Sequence, residues 1–84
     1  MRKESVSFLE KLVAAPSPSG YEQPAQRIFR EYVAPYCQLS SDVLGNQYGF
    51  IPGQGKDRPK VMLVGHNDEI GLQVKYIDDK GFLY

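Results

Sequence analysis

The sequence has few of the side chains that build covalent or multi-ligand frameworks. Among its 84 residues there is one cysteine, one histidine and no tryptophan. The single cysteine, Cys37, excludes an internal disulfide and any zinc site made of several cysteines. We expect it to be a buried, unreactive apolar residue. The single histidine, His66, leaves no second imidazole for a metal site within this chain.

Neither an excess charge nor a long apolar run is present. Ten Lys and Arg residues balance ten Asp and Glu residues, so nothing points to nucleic acid as a partner. The longest apolar runs, such as Val61 to Val64, fall far short of the roughly 20 residues needed to cross a bilayer. The basic start lacks the apolar stretch of a secretory signal. We therefore expect a cytoplasmic protein without a membrane or nucleic-acid partner.

Apolar spacing predicts two helices in the first part of the chain. Apolar residues recur at helical spacing from Glu4 to Ala14 and again from Ala25 to Tyr36. Prolines in the loop between them end the first helix, and Pro35 marks the end of the second. Ser19 and Glu22 match a capping box, but Pro24 would then lie beyond the first turn. We therefore expect the second helix to start near Tyr21 or Glu22.

After Cys37 the pattern changes to short segments that predict β-strands: residues 39–43, 47–51, 61–64, 72–77 and 82–84. Val61 to Val64 is apolar at every position, as in a central strand covered on both faces, whereas Leu72 to Tyr76 alternates like a half-exposed one. The change across His66 to Gly71 is the best candidate for a domain boundary. Asp78 to Gly81 predicts a hairpin turn, and we see no internal repeat. The fold class is α/β.

His66 directly follows the predicted buried strand, at the end where open α/β sheets place their ligand sites. Asp68, two residues later, can reach back to the imidazole ring and fix its tautomer, as carboxylates beside metal ligands do. A lone His beside an Asp is, however, more often part of a surface turn. Glu69, Asp78 and Asp79 are conceivable further ligands, although acids in turns are usually just solvated. Spacing alone leaves both interpretations open.

Three segments, in order, resemble one family. His66-Asn67-Asp68-Glu69-Ile70-Gly71, within the stretch 61–82, is similar to the His-x-Asp-Glu-Ile-Gly segment of the glutamyl aminopeptidase and cellulase-M-like family, which includes the deblocking and tetrahedral aminopeptidases. Residues 16–22 resemble the loop between that family's first two helices, and residues 42–46 resemble the Asp-x-x-Gly-Asn turn of the wider clan. Asn67 departs from the family's commoner Met.

The resemblance implies a metal-dependent aminopeptidase. Its members hold two divalent ions, zinc or cobalt, bridged by a carboxylate and a water that attacks the peptide substrate. By position, His66 matches a metal ligand and Asp68 matches the catalytic-site carboxylate that orients it. The other ligands and the general base match positions beyond residue 84. We therefore expect these 84 residues alone to be inactive and not to retain the ions.

The resemblance also implies a domain organisation. Residues 1–70 would be the N-terminal part of an α/β/α metallopeptidase catalytic domain, and residues 71–84 would begin an inserted β-rich domain that assembles homo-oligomers from dimers to dodecamers. Two alternatives remain: part of a related co-catalytic carboxypeptidase or deacylase, and a non-catalytic structural or interaction module. Glu69-Ile70-Gly71 favours the aminopeptidase over the first, and the stop in an apolar run at Tyr84 argues against the second.

Overall fold

The computed structural model describes all 84 residues and contains two helices followed by a two-stranded antiparallel hairpin. The elements are α1 (Lys3–Ala14), α2 (Gln23–Val33), β1 (Gln38–Ser41) and β2 (Gln47–Phe50). Both predicted helices and the first two predicted strands are confirmed to within a few residues. This order of elements gives the described chain its α/β character.

The start of α2 differs from a capping box. The helix begins at Gln23, so Pro24 lies in its first turn, where a missing N–H costs nothing. Glu22 occupies the N-cap position without a side-chain capping bond, and its Oε1 instead accepts a hydrogen bond from the Gly20 N–H at 2.5 Å. The hydroxyl group of Ser19 is therefore not used by the helix.

The two helices pack through a small apolar contact. The rings of Phe8 and Tyr32 stack with centroids 3.9 Å apart and planes 15° from parallel. Only Ala15, Ser17 and Ala25 are buried, so most of the apolar surface of the chain faces solvent. Neither helix has the length and apolar character that a membrane span requires.

The hairpin pairs Gln38 with Phe50 and Ser41 with Gln47. Helix α2 holds its turn from one side, since the Gln26 amide donates to Gly45 O at 2.6 Å and Arg30 donates to the Gln47 side chain at 2.6 Å. The expected burial of Cys37 is only partly correct: its side chain is half-buried, with Sγ 3.2 Å from the carbonyl oxygen of Val33.

Two turns in the chain share one hydrogen-bond pattern. In each, one carboxylate oxygen of an Asp accepts the N–H groups two and four residues later, and a Gly three residues later has positive φ. A Tyr six residues after the Asp donates its hydroxyl to the other carboxylate oxygen. The two sets are Asp42, Gly45 and Tyr48, and Asp78, Gly81 and Tyr84. Both turns have the spacing Asp-x-x-Gly-x-x-Tyr.

The second of these turns confirms the predicted hairpin turn after Ile77. Ile77 and Leu83 form an antiparallel bridge, and Tyr76 and Tyr84 exchange backbone hydrogen bonds. The flanking segments predicted as strands, residues 72–77 and 82–84, contribute only this isolated bridge and no strand.

The prediction of a buried central strand at Val61 to Val64 is wrong for this structure. The four residues lie outside any strand, and their side chains are 78% to 95% exposed. A strand needs hydrogen-bonding neighbours, and no segment of the chain lies beside this one. The radius of gyration of 18.0 Å, against about 12 Å for a compact domain of this length, reflects the same open arrangement.

Candidate functional site

The loop between the helices pairs with the segment that contains His66. Pro18 and Glu69 form an isolated parallel bridge. The Glu69 N–H donates to the Ser17 carbonyl oxygen at 2.9 Å, and the Ser19 N–H donates to the Glu69 carbonyl oxygen at 3.3 Å. The side chain of Glu69 adds a contact, because its Oε1 accepts from the Ser17 N–H at 3.3 Å. This pairing joins two of the segments that carried the family resemblance.

His66 and Asp68 are in direct contact. Nδ1 of His66 lies 2.9 Å from Oδ1 of Asp68. An ionised carboxylate can only accept hydrogen bonds, so Nδ1 carries the shared proton. In a neutral imidazole this leaves the lone pair on Nε2, the nitrogen available to bind a metal ion. The His66 side chain is 87% exposed, so this nitrogen is accessible from solvent.

The second oxygen of Asp68 has a partner of its own. The hydroxyl group of Ser19 donates to Oδ2 of Asp68 at 2.5 Å, which links the interhelical loop to the His66 segment across 49 positions. The Ser19 bond, and after it the bond with His66, lowers the pKa of Asp68 below its ordinary value. Asp68 therefore remains an anion, and an acceptor, throughout the neutral range.

Close backbone approach at Gly71 allows the loop to pair. A Cβ added at Gly71 would collide with the Cβ of Pro18, whereas one added at Gly65 would meet no atom within 4 Å. Gly71 thus has a steric requirement that Gly65 lacks. Because residue 71 has no side chain, Pro18 can lie against the backbone of Gly71, close to the segment that contains Asp68.

Of the other acids considered as ligands, Glu69 and Asp78 have structural partners and Asp79 has none. Asp78 accepts the N–H groups of its hairpin turn, and Asp42 does the same in the first hairpin. The hydrogen bonds from the side chains of Asn46 and Tyr48 lower the pKa of Asp42, and the bond with Asp42 raises the pKa of Tyr48. Asp79 takes part in no hydrogen bond. No three His, Cys, Asp or Glu side chains form a group that could hold a metal ion.

Sequence reasoning missed Ser19. The Ser19 to Glu22 spacing pointed to a helix cap, whereas the structure directs the hydroxyl to Asp68. A signal for this contact existed, because both segments belonged to the same resemblance. Nothing in the spacing, however, indicated that the two segments touch.

Comparison with known proteins identifies sequence relatives of this chain. Residues 45–84 match the sequence model of the M42 glutamyl aminopeptidase family. FrvX of Escherichia coli strain K12, classed as an aminopeptidase, is 36% identical over 80 residues, which is 94% of this chain and 22% of FrvX. The lysyl aminopeptidase of Pyrococcus furiosus is 34% identical over 81 residues, 90% of this chain and 22% of that protein.

A further relative is a Pyrococcus abyssi protein classed as a [LysW]-lysine/[LysW]-ornithine hydrolase, 33% identical over 70 residues, which is 82% of this chain and 20% of that protein. No solved structure matches the chain significantly.

The helices, the hairpin and the matched segments together define the class of chain: an α/β segment similar to part of proteins named as aminopeptidases. More specifically, the chain belongs to the M42 glutamyl aminopeptidase family. It spans about a fifth of the length of the curated relatives that it matches, 22% of FrvX and 22% of the lysyl aminopeptidase.

Proposed function

We propose that these residues are part of a metal-dependent aminopeptidase that removes amino-terminal residues from peptides, with His66 as one metal ligand. The observation that carries the proposal is the 2.9 Å contact between Nδ1 of His66 and Asp68. A carboxylate on one imidazole nitrogen is the usual partner of a histidine that binds a metal through the other nitrogen. Family membership supplies the reaction type, since relatives named as aminopeptidases are similar over nearly the whole of this chain.

The residues present fit a divalent metal ion as a partial ligand set. Imidazole nitrogen suits zinc and cobalt, and Nε2 of His66 is exposed and unprotonated in the tautomer that Asp68 favours. A catalytic zinc usually takes three protein ligands. The rest of the set would therefore come from residues outside this chain, and the chain alone is expected to be inactive and to hold no ion tightly.

A bound divalent ion would polarise the peptide carbonyl and lower the pKa of water near it. The role of this chain is to provide and orient the metal ligand His66. Asp68 holds the proton of His66 on Nδ1 and fixes the ring, while the pairing of Ser17 and Ser19 with Glu69 holds the segment that carries both residues. The chain contributes ligand orientation and not the acid or base of the reaction.

The domain organisation follows from the same proposal. Residues 1–70 would form the beginning of an α/β/α catalytic domain, in which Val61 to Val64 would gain strand neighbours from the rest of that domain. Residues 71–84, with their Asp78 turn, would begin an inserted β-rich domain through which subunits assemble. The exposure of Val61 to Val64 supports the first part, because an apolar segment of this kind needs cover.

A second candidate is an amide hydrolase of the same metal-dependent type that acts on a different bond. The similarity to the protein classed as a [LysW]-lysine/[LysW]-ornithine hydrolase favours it. The His66 and Asp68 contact serves both chemistries equally well. The substrates separate the two candidates: peptides with a free amino terminus for the first, and [LysW]-lysine or [LysW]-ornithine for the second.

The test is peptide hydrolysis by the complete product of the gene that encodes this chain. We expect release of amino-terminal residues that disappears on chelation and returns with zinc or cobalt. The 84-residue chain, assayed in parallel, should remain inactive. Full activity in the presence of a chelator would contradict the proposed function. Cleavage confined to [LysW]-lysine or [LysW]-ornithine would favour the second candidate.

A further inference from the structure

The oxygens of Asp68 are divided between two partners, His66 on Oδ1 and Ser19 on Oδ2. We propose that Ser19 is a positioning residue of the His66 site: its hydroxyl holds the Asp68 carboxylate against Nδ1 of His66 and so keeps Nε2 free for a metal ion. This inference deepens the proposed function, on which its metal-binding part rests. Ser19 touches neither the ion nor the substrate and acts only through Asp68.

The exposure of the imidazole makes its orientation depend on Asp68. The ring of His66 is 87% exposed, and its only hydrogen bond is the one to Asp68. A carboxylate held at one oxygen can rotate and lose its partner, whereas bonds at both oxygens fix its plane. The side chain of Asp68 is 39% exposed, so its carboxylate is partly open to solvent and the two hydrogen bonds contribute to its orientation.

The backbone holds Ser19 in place independently of its hydroxyl. Its N–H donates to the Glu69 carbonyl oxygen at 3.3 Å, and the following turn is closed by the Tyr21 N–H on the Pro18 carbonyl oxygen at 2.8 Å. Removing the hydroxyl should therefore leave the loop where it is. The hydroxyl is also not needed to cap α2, because Glu22 occupies that position. Its one interaction is with Asp68.

The test uses the tautomer of His66 in the 84-residue chain, where a single imidazole gives an unambiguous signal. Long-range proton–nitrogen NMR measures the ratio of the Nδ1–H to the Nε2–H form at a pH where the ring is neutral. We expect Ser19→Ala to lower this ratio about two- to tenfold, the range that one hydrogen bond typically gives. Ser19→Thr, which keeps a hydroxyl, should retain the native ratio.

Ser17→Ala is the matched control, since this buried serine lies on the same loop and does not bond to Asp68. It should leave the ratio unchanged, and the Ser19 and Glu69 amides should stay protected from exchange in all three variants. Any of four results would overturn the inference. Ser19→Ala could keep the native ratio, or Ser17→Ala or Ser19→Thr could lower the ratio as much as Ser19→Ala does. The unmodified chain could also show the ratio of free imidazole.

A separate measurement on the complete gene product distinguishes this inference from the proposed function. Zinc affinity should fall in Ser19→Ala and be native in Ser19→Thr. If His66→Ala leaves zinc binding intact, the proposed function fails while the tautomer result still stands. If His66→Ala abolishes zinc binding and Ser19→Ala changes neither the tautomer nor the affinity, only the role of Ser19 is wrong.

Discussion

Ser19 and Asp68 are 49 positions apart in the sequence, and the hydroxyl of the first lies 2.5 Å from Oδ2 of the second. This contact, with the backbone pairing beside it, joins the loop between the helices to the segment that contains His66. The site is thus built from two parts of the chain that no local pattern connects. The following predictions test this pairing, the two hairpin turns and the metal-ligand role.

Gly71→Ala should disrupt the pairing of the loop with the His66 segment. The new Cβ would collide with the rigid ring of Pro18, and overpacking of this kind costs about 1–3 kcal/mol. Hydrogen exchange of the Ser19 and Glu69 amides measures the loss directly. Gly65→Ala is the control, since its Cβ meets no atom within 4 Å, and should change protection by less than about 0.5 kcal/mol. Equal effects of the two variants would contradict the structure.

Asp78→Ala should weaken the turn after Ile77, whereas Asp79→Ala should not. Asp78 accepts the N–H groups of Lys80 and Phe82 at 2.9 Å each, and its neighbour Asp79 accepts none. We expect the Lys80 and Phe82 amides to exchange about two- to tenfold faster in the first variant. The prediction would be wrong if both variants left these rates unchanged.

The first hairpin should lose stability at both extremes of pH. The lowered pKa of Asp42 means that its contribution is present above the pKa of the unfolded chain and is lost as pH falls through the folded value. The raised pKa of Tyr48 means the reverse: its contribution is present below the unfolded pKa and is lost as pH rises through the folded value. Stability should therefore be flat between the two ranges.

The amide signals of Leu44 and Asn46, which donate to Asp42, report this pH profile. Tyr48→Phe should remove the alkaline loss and reduce the acid loss without abolishing it, because Asn46 still donates to Asp42. An alkaline transition of unchanged size in that variant would show that another group is responsible.

Asp68→Asn should lower the metal affinity of the complete gene product about 10- to 100-fold, the usual effect of removing the carboxylate partner of a ligating histidine. The amide group of Asn can donate a hydrogen bond to Nδ1, which favours the tautomer of His66 with its proton on Nε2. Competition with a chromogenic chelator gives the affinity. Asp79→Asn, which removes one exposed negative charge without a hydrogen bond, is the control for the change in charge and should leave the affinity unchanged.

Much of the local structure could be predicted from the sequence, because it follows from local patterns. The spacing of apolar residues predicted both helices, and turn residues between short apolar runs predicted the first hairpin and the Asp78 turn. The carboxylate of Asp68 is in reach of His66 simply because the two are two residues apart. Proline and glycine marked most of the boundaries for reasons of backbone geometry.

The errors have a different origin. The apolar character of Val61 to Val64 indicates a segment that is stable as a buried strand. The chain provides no neighbouring strand to pair with it. The contact of Ser19 with Asp68 joins two loops through a single bridge, which has no period to detect. The pattern Asp-x-x-Gly-x-x-Tyr occurs twice in the sequence. It is too short, and its other positions differ too much, for it to be detected as a repeated unit.

The metal content and the activity of the complete gene product, measured with and without His66→Ala, test most directly whether His66 is a metal ligand of a peptidase. We expect two divalent ions per chain in the unmodified protein. In the variant we expect at least one ion and peptide hydrolysis to be lost. A His66→Ala protein that folds, keeps its full metal content and cleaves peptides at the native rate would contradict this expectation.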